Sequence, residues 1–520
     1  MSVNEIYDLI EAAPLAPIWI SLVPRKQALE KEQESAGLPL EGMTLAIKDN
    51  IDYAVLPTTA ACPEFAFQPE NTAPVVAALE AAGAVVIGKT NMDQFATGLV
   101  GTRSPHGACS SKYSAEHISG GSSSGSAVAV AKRLVTVSLG TDTAGSGRVP
   151  AAFNNLIGLK PTRGLLSTTG VVPACRTLDC VSIFARNIND ARAVFRAASE
   201  FDPSDAYSRR NQPAKPINEH FRFGVPAANL LEFFGDEEAA ALYQKAMAKL
   251  EALGASKVEI DFSVFRQAAD LLYSGPWVAE RLAAIEDFAR DHADAAHPTV
   301  RAIITGGSRY SAVDTFRAQY KLQELIRKAE AEWHKMDLLL LPTTGTIYTI
   351  DQVNQDPIRL NANLGYYTNF VNLMDLAALA VPAGFRKTGL PFGVSLIAPA
   401  FSDEALLNVA ERYLADHITV AVVGAHLRGQ PLNWQLTDRG AKYPRDTTHR
   451  PELPPVRAHR HCPCEARTRT GRRFHRPRHR SRTLVHSRGA IRRLRRRHPA
   501  STRNRYRYTR KRKRRQMFYR

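Results

Sequence analysis

Three separate pieces of this chain fit one kind of chemistry. Lys48 closes an apolar run in "LAIKDN", Ser122 follows two glycines in "SGGSSSGS", and Ser146 stands in "GTDTAGSGRVP" just after a buried-looking strand. A serine hydroxyl is a weak nucleophile until a neighbouring base takes its proton. A lysine is such a base only when neutral, so its pKa must fall from about 10.4 toward about 7–8 by desolvation or partner placement. A lysine at the end of an apolar strand meets that demand. The same serines also suit helix starts and turns, and the glycines let backbone approach something closely.

Other motif matches compete with this one. "GAVVIGKT" (83–90) fits the spacing of a phosphate-binding loop. Such a loop follows its strand, whereas here Ala84-Val85-Val86-Ile87 read as the strand itself. "GSSSG" (121–125) fits a nucleophile elbow centred on Ser123. That elbow needs a strand leading in and a later acid and histidine; "SSKYSAEHISG" is not strand-like, so a serine-rich helix start covers Ser123 better. "HRHCPC" (459–464) matches no standard zinc spacing, and no metal site is expected.

The elements that must hold these residues alternate. Residues 1–35 read as helical, with Ile6, Leu9 and Ile10 on one face. Strands are expected in 42–52, at the end of 72–93, and at 135–142, 155–162, 337–344 and 389–398. Helices are expected at the start of 72–93 and over "SSGSAVAVAKRL", and 215–335 reads as mostly helical. That alternation predicts an α/β fold with helices on the faces of a sheet.

On these residues the chain resembles the amidase signature family, marked by a Gly/Ser-rich stretch of the form GGSS…GTDTGGSxR.P. The likeness continues through "AIKDNID", "VIGKTNMDQFATG", "AAFNNLIGLKPTRG" and "LPFGVSLIA", over roughly residues 40–400. It implies a central mixed β-sheet flanked by helices on both faces. It also implies a Ser–Ser–Lys triad: Ser146 as nucleophile, Ser122 (beside a cis peptide bond in the family) as proton relay, and Lys48 as base. The backbone N–H groups of Thr143, Ala144 and Gly145 would form the oxyanion hole. The resemblance implies no metal or organic cofactor.

Two departures point to a branch of the family. Ala144-Gly145 replaces the usual Gly-Gly, and "SGRVP" replaces the frequent "SIRxP". With "GLLSTTGVVPACRTLDCVSIFA", "LYSGPWVAERLAAI" and "LGYYTNFVNLMDLAALAVPAGF", they resemble the allophanate hydrolase branch. Its substrate is a small ureido carboxylate, which an arginine fork suits. Tyr273 and Arg281 lie eight apart in "YSGPWVAER", about 80° around a single helix, so both could face one pocket. From pattern alone they read as a core tyrosine and a solvated arginine; the resemblance makes them the binders of the substrate's carboxylate. It further implies work downstream of a biotin-dependent urea carboxylase, and a homodimer. The alternatives are another amidase, or the amidase subunit of a glutamyl-tRNA amidotransferase; "AGSGR" and the Tyr273/Arg281 pair count against that subunit.

The net charge of +18 belongs to the end of the chain. Residues 443–520 hold 28 Lys and Arg against 3 Asp and Glu, whereas residues 1–442 hold 40 against 47. The division expected is a catalytic domain over 1–419, a linker over 420–442 and an Arg-rich, low-complexity tail over 443–520. Such a tail buries too little apolar area to offset chain entropy and reads as disordered or as an out-of-frame end. Its rival reading is a polycation that binds nucleic acid non-specifically, on a body that is no longer active. The six cysteines have no framework spacing, the N-terminus has Glu5 and Asp8 in place of a basic signal region, and no apolar run approaches about 18 residues. A cytoplasmic protein with no membrane partner is expected.

Overall fold

The run Leu338–Leu341 is apolar at every position, as a strand covered on both faces must be. Leu338 and Leu340 join one hydrophobic core and Leu339 and Leu341 another. The next strand repeats the split, with Ala377 and Leu379 on the first side and Leu376 and Ala378 on the second. One sheet therefore separates two cores, each closed by helices.

The structure is a computed structural model describing residues 1–12, 17–212, 214, 216–415 and three short strands beyond them. The chain divides after Leu414 into two units. In the first, the sheet has eleven strands: β1 (Trp19–Leu22), β2 (Thr44–Lys48), β3 (Val85–Thr90), β6 (Val137–Asp142), β7 (Ile157–Lys160), β8 (Cys180–Ala185), β9 (Arg222–Pro226), β10 (Ser256–Ile260), β11 (Leu338–Pro342), β12 (Leu376–Phe385) and β13 (Pro391–Pro399). A small separate hairpin supplies β4 (Ser110–Ser111) and β5 (Ser114–Ile118). The spatial order is β1-β3-β2-β6-β8-β7-β12-β13-β11-β9-β10. β2 runs parallel to β3 and β6, while β6, β8, β7, β12, β13 and β11 follow in antiparallel pairs, so the sheet is mixed as expected.

The second unit shows three strands, β14 (His417–Val422), β15 (Lys442–Arg445) and β16 (Arg482–Ser487), with β16 between the other two. The rest of the expected linker and tail, "HRHCPC" included, lies outside the described residues.

Two local expectations fail for physical reasons. Residues 1–35 form two helices, Val3–Ala12 and Arg25–Glu34, with β1 between them, paired antiparallel to β3. In the first helix Val3, Ile6, Tyr7 and Ile10 are buried, but Leu9 is 45% exposed. At 100° per residue Leu9 sits about 110° from the centre of that stripe. The stretch 215–335 is mostly helical as expected, and it also contains β9 and β10, a parallel pair whose outer member β10 leaves most of its residues exposed and so gives little apolar signal.

The helix Ser124–Ala131 is buried at every residue. "SGSAVAVA" has no polar face, as a helix enclosed on all sides requires. Gly125 lets it seat closely, since a Cβ there would lie 2.4 Å from the carbonyl oxygen of Ile18. Among the described residues no helix is long and apolar enough to cross a membrane.

Candidate active site

β2 and β6 are neighbours with Ile47 opposite Leu139, so their C-terminal ends deliver Lys48, Thr141 and Asp142 side by side. The N-terminus of the Ser124–Ala131 helix brings Ser122 to the same place. Lys48 Nζ lies 2.7 Å from Ser122 Oγ and 2.7 Å from Thr141 Oγ1. The Gly121–Ser122 peptide is cis. Lys48 and Ser122 are fully buried and Ser146 nearly so. Burial pushes the Lys48 ammonium down to about 7, helped by Arg281 and opposed by Asp93, Asp179 and Asp142. A lysine held this way is half neutral near neutrality, the state a base needs.

The segment after β6 is built around one carboxylate. Asp142 Oδ1 accepts from Gly145 N and Arg148 Nη2, both at 2.9 Å. Its Oδ2 accepts from Gly147 N at 3.0 Å and Arg148 Nε at 2.9 Å. Burial alone would raise this carboxyl; the Arg148 guanidinium outweighs it and holds the group below the usual range. Arg148 also donates to the carbonyl of Thr368, and Asn372 Nδ2 donates to the carbonyl of Asp142 at 2.7 Å. These bonds fix Ser146 between two anchored glycines. Gly145 has φ +139°, and a Cβ on it would lie 2.5 Å from Thr368 Oγ1, so only glycine fits.

The expected oxyanion donors separate. The Gly145 N–H is already engaged by Asp142, which counts against it as a donor to substrate. Among the described residues the N–H groups of Thr143 and Ala144 have no hydrogen-bond acceptor. The Thr143 hydroxyl donates to Asp179 Oδ1, and Asp179 also accepts from Ala174 N at 2.8 Å. Burial pushes Asp179 up to about 6 against those bonds.

Tyr273 and Arg281 do not share a helix. Gly275-Pro276 ends one at Ser274 and starts the next at Trp277, proline being well suited to a helix start. The bend nevertheless brings the side chains together, with Arg281 Nη2 3.4 Å from Tyr273 Oη. Arg281 is 2% exposed, its Nε has no partner, and no carboxylate among the described residues reaches ion-pair distance. Sequence pattern alone reads it as a solvated arginine; the structure buries it.

The two competing motifs fall where expected. Val85–Thr90 is the strand β3, and its Lys89 is buried, 2.9 Å from Thr58 Oγ1 and 3.7 Å from Asp49. Ser123 precedes the helix, with its hydroxyl donating to the carbonyl of Thr141. Sequence reasoning misses Thr141, Asp142, Asp179, Arg148 and Asn372 as site residues. Asp142 and Arg148 carry a signal, an acid and a base flanking "TAGSG"; the others are joined to the site only by the fold.

Comparison with known proteins follows the same lines. The family model described as Amidase matches residues 20–407. The model described as allophanate hydrolase C-terminal domain matches residues 418–459, running past Tyr443. The chain is 45% identical over 484 residues to the urea amidolyase of Saccharomyces cerevisiae, a match covering 85% of this chain and 26% of that protein. It thus spans about a quarter of the length of that relative. It is 35% identical over 381 residues to a glutamyl-tRNA(Gln) amidotransferase subunit of Pseudomonas fluorescens, covering 67% and 77% of the two chains. Among solved structures, selenomethionine-substituted Kluyveromyces lactis allophanate hydrolase superposes with a TM-score of 0.76 at 40% identity, covering 94% of this chain and 87% of that one. A mixed sheet that ends a buried lysine against a serine, and a family match over most of its length, have the same meaning: the chain belongs to the amidase family.

Proposed function

We propose that this chain hydrolyses allophanate, with Ser146 as nucleophile, Ser122 as relay and Lys48 as base. The observation that carries the substrate is Arg281, a buried guanidinium without a carboxylate partner among the described residues, beside the Tyr273 hydroxyl. An uncompensated buried charge is costly, and a substrate carboxylate would relieve it. The likeness to K. lactis allophanate hydrolase supports the same choice.

Ser146 Oγ attacks the terminal carbamoyl carbon while its proton passes through Ser122 to neutral Lys48. The developing oxyanion takes the free N–H groups of Thr143 and Ala144. Lys48 then returns the proton through Ser122 to the leaving nitrogen, the C–N bond breaks, and ammonia departs. Water attacks the acyl-enzyme by the same path in reverse. The product, a carboxylated carbamate, takes up protons from solvent, loses both of its carboxyl carbons as carbon dioxide and leaves a second ammonia. These steps call on no metal or organic cofactor.

The Lys48 shift sets the acid limb. Below about pH 7 the protonated amine cannot accept the Ser122 proton. The kcat/KM profile should therefore fall about tenfold per pH unit below that point and level above it, which a pH–rate series checks. The same shift acts on stability. Between about 7 and the ordinary value of 10.5 the unfolded chain binds the extra proton, so this residue's contribution rises with pH across that window.

The experiment is ammonia release from allophanate by the purified full chain, beside neutral amides and glutamine. Allophanate should be preferred, and Arg281→Gln should raise KM for it by about 100-fold, the worth of a buried charged hydrogen bond. Preference for glutamine would overturn this reading in favour of an amidotransferase subunit. The upstream reaction that makes the substrate is proposed to be a biotin-dependent carboxylation of urea, in keeping with the match to urea amidolyases. A homodimer, a cytoplasmic location, and the division into catalytic domain, linker and basic tail at residues 419 and 442 stand as parts of the same proposal.

A further inference from the structure

A cavity of about 260 Å³ is lined by Arg103, Arg266, Tyr273, Arg309 and Asn369 among others. Neither Lys48 nor Ser146 lines it. Tyr273 is the shared wall, since its hydroxyl also meets Arg281.

The charges around this cavity do not balance. Arg266 is paired with Asp270 at 2.9 Å. Arg103 is 1% exposed, and among the described residues no carboxylate reaches ion-pair distance of its guanidinium. It donates instead to the carbonyls of Thr97 at 3.0 Å and Pro357 at 2.5 Å, and its Nε is buried with no partner. Arg281 donates to the hydroxyl of the same Thr97 at 3.3 Å. Two buried guanidiniums thus converge on one threonine. Arg309, exposed, donates to the Tyr310 hydroxyl and likewise has no ion pair among the described residues. Asn369 Oδ1, also buried, has no partner. The free donors and acceptor suit a small carboxylate that also carries N–H groups.

We propose that this cavity is an antechamber that collects the anionic substrate, with Arg309 at its rim and Arg103 deep within, and passes it to Tyr273 and Arg281. The proposal rests on the reading that the substrate carries a carboxylate. Charge lining a cleft raises the local concentration of the opposite ion and loses its effect as salt shortens the screening length.

Arg309 is exposed, so its replacement tests the idea without disturbing the fold. Arg309→Gln and Arg309→Glu are assayed as full chains for ammonia release from allophanate and from biuret, its neutral isostere, at about 20 mM and about 500 mM salt. The expected result is a KM for allophanate raised about 3- to 10-fold in Arg309→Gln and further in Arg309→Glu at low salt, with kcat held and the difference closing at high salt. Biuret should show no such salt-dependent change. A KM and salt slope equal to wild type in both variants would overturn the antechamber. If the wild type hydrolyses no allophanate, the carboxylate reading fails separately, and malonate binding by calorimetry decides the cavity. Salt-sensitive binding weakened in Arg309→Glu would support it, and equal or absent binding in both proteins would overturn it.

Discussion

Ser146→Ala should abolish ammonia release, a loss of about 10⁶-fold in kcat for the nucleophile of a serine hydrolase. Lys48→Ala should cost nearly as much, because without the base Ser122 has nowhere to pass a proton. The two changes combined should be no worse than the more severe one, since residues that act as a unit lose their function together. Ser123→Ala is the internal control. Its hydroxyl donates to the carbonyl of Thr141 and accepts from the N–H of the same residue, with no bond to Lys48, Ser122 or Ser146, so its loss should cost far less than that of Ser146. Single-turnover assays beside a urea-denaturation control separate lost chemistry from lost folding.

The second large effect concerns stability. Arg148→Met should lower the unfolding free energy by about 3–5 kcal/mol, because it strands the Asp142 carboxylate in a fully buried place. The double change Asp142→Asn with Arg148→Met should recover much of that loss, since no charge is then left unpaired. Denaturation midpoints of the two variants check this directly. The sign with pH follows from the depressed Asp142 pKa. The pair's contribution is present above the unfolded value of 3.8 and is lost as pH falls through the lower folded value. The double variant should therefore be less sensitive to acid than the wild type, although its catalytic loop would lose its anchor.

Lys48, Ser122 and Ser146 stand in short strings that the sequence singles out, and their roles come from the resemblance to the amidase signature family. The central strands are legible too, since "DLLLLP" is apolar almost without interruption and "VTVSLG" alternates β-branched and aliphatic residues with small ones. The anchors are not. Asn372 lies 230 residues from Asp142, and nothing in "FVNLMD" marks its amide as a partner for that backbone. The spacing argument that pairs Tyr273 with Arg281 assumes one continuous helix. Gly275-Pro276 breaks that helix, and the bend, not the periodicity, brings them together. β10 is lost in a helical region because an edge strand such as "SKVEI" buries only one residue fully. Local pattern reaches elements that are self-sufficient; it does not reach contacts that exist only after the chain has closed on itself.

The clamp of Arg148 and Asn372 on Asp142 has a consequence for how the protein is made. The nucleophile loop is among the earlier parts of the chain to leave a ribosome, but Thr368 and Asn372 emerge more than 200 residues later. Contacts of such sequence separation form late, after the loop-closure entropy has been met. Until the helix Phe370–Leu373 docks, the loop therefore has only its local bonds from Gly145, Gly147 and Arg148 to Asp142, with that ion pair still exposed to water. On the proposed chemistry, the last anchors of the nucleophile loop arrive near the end of synthesis of the first unit, from residues outside the proposed triad.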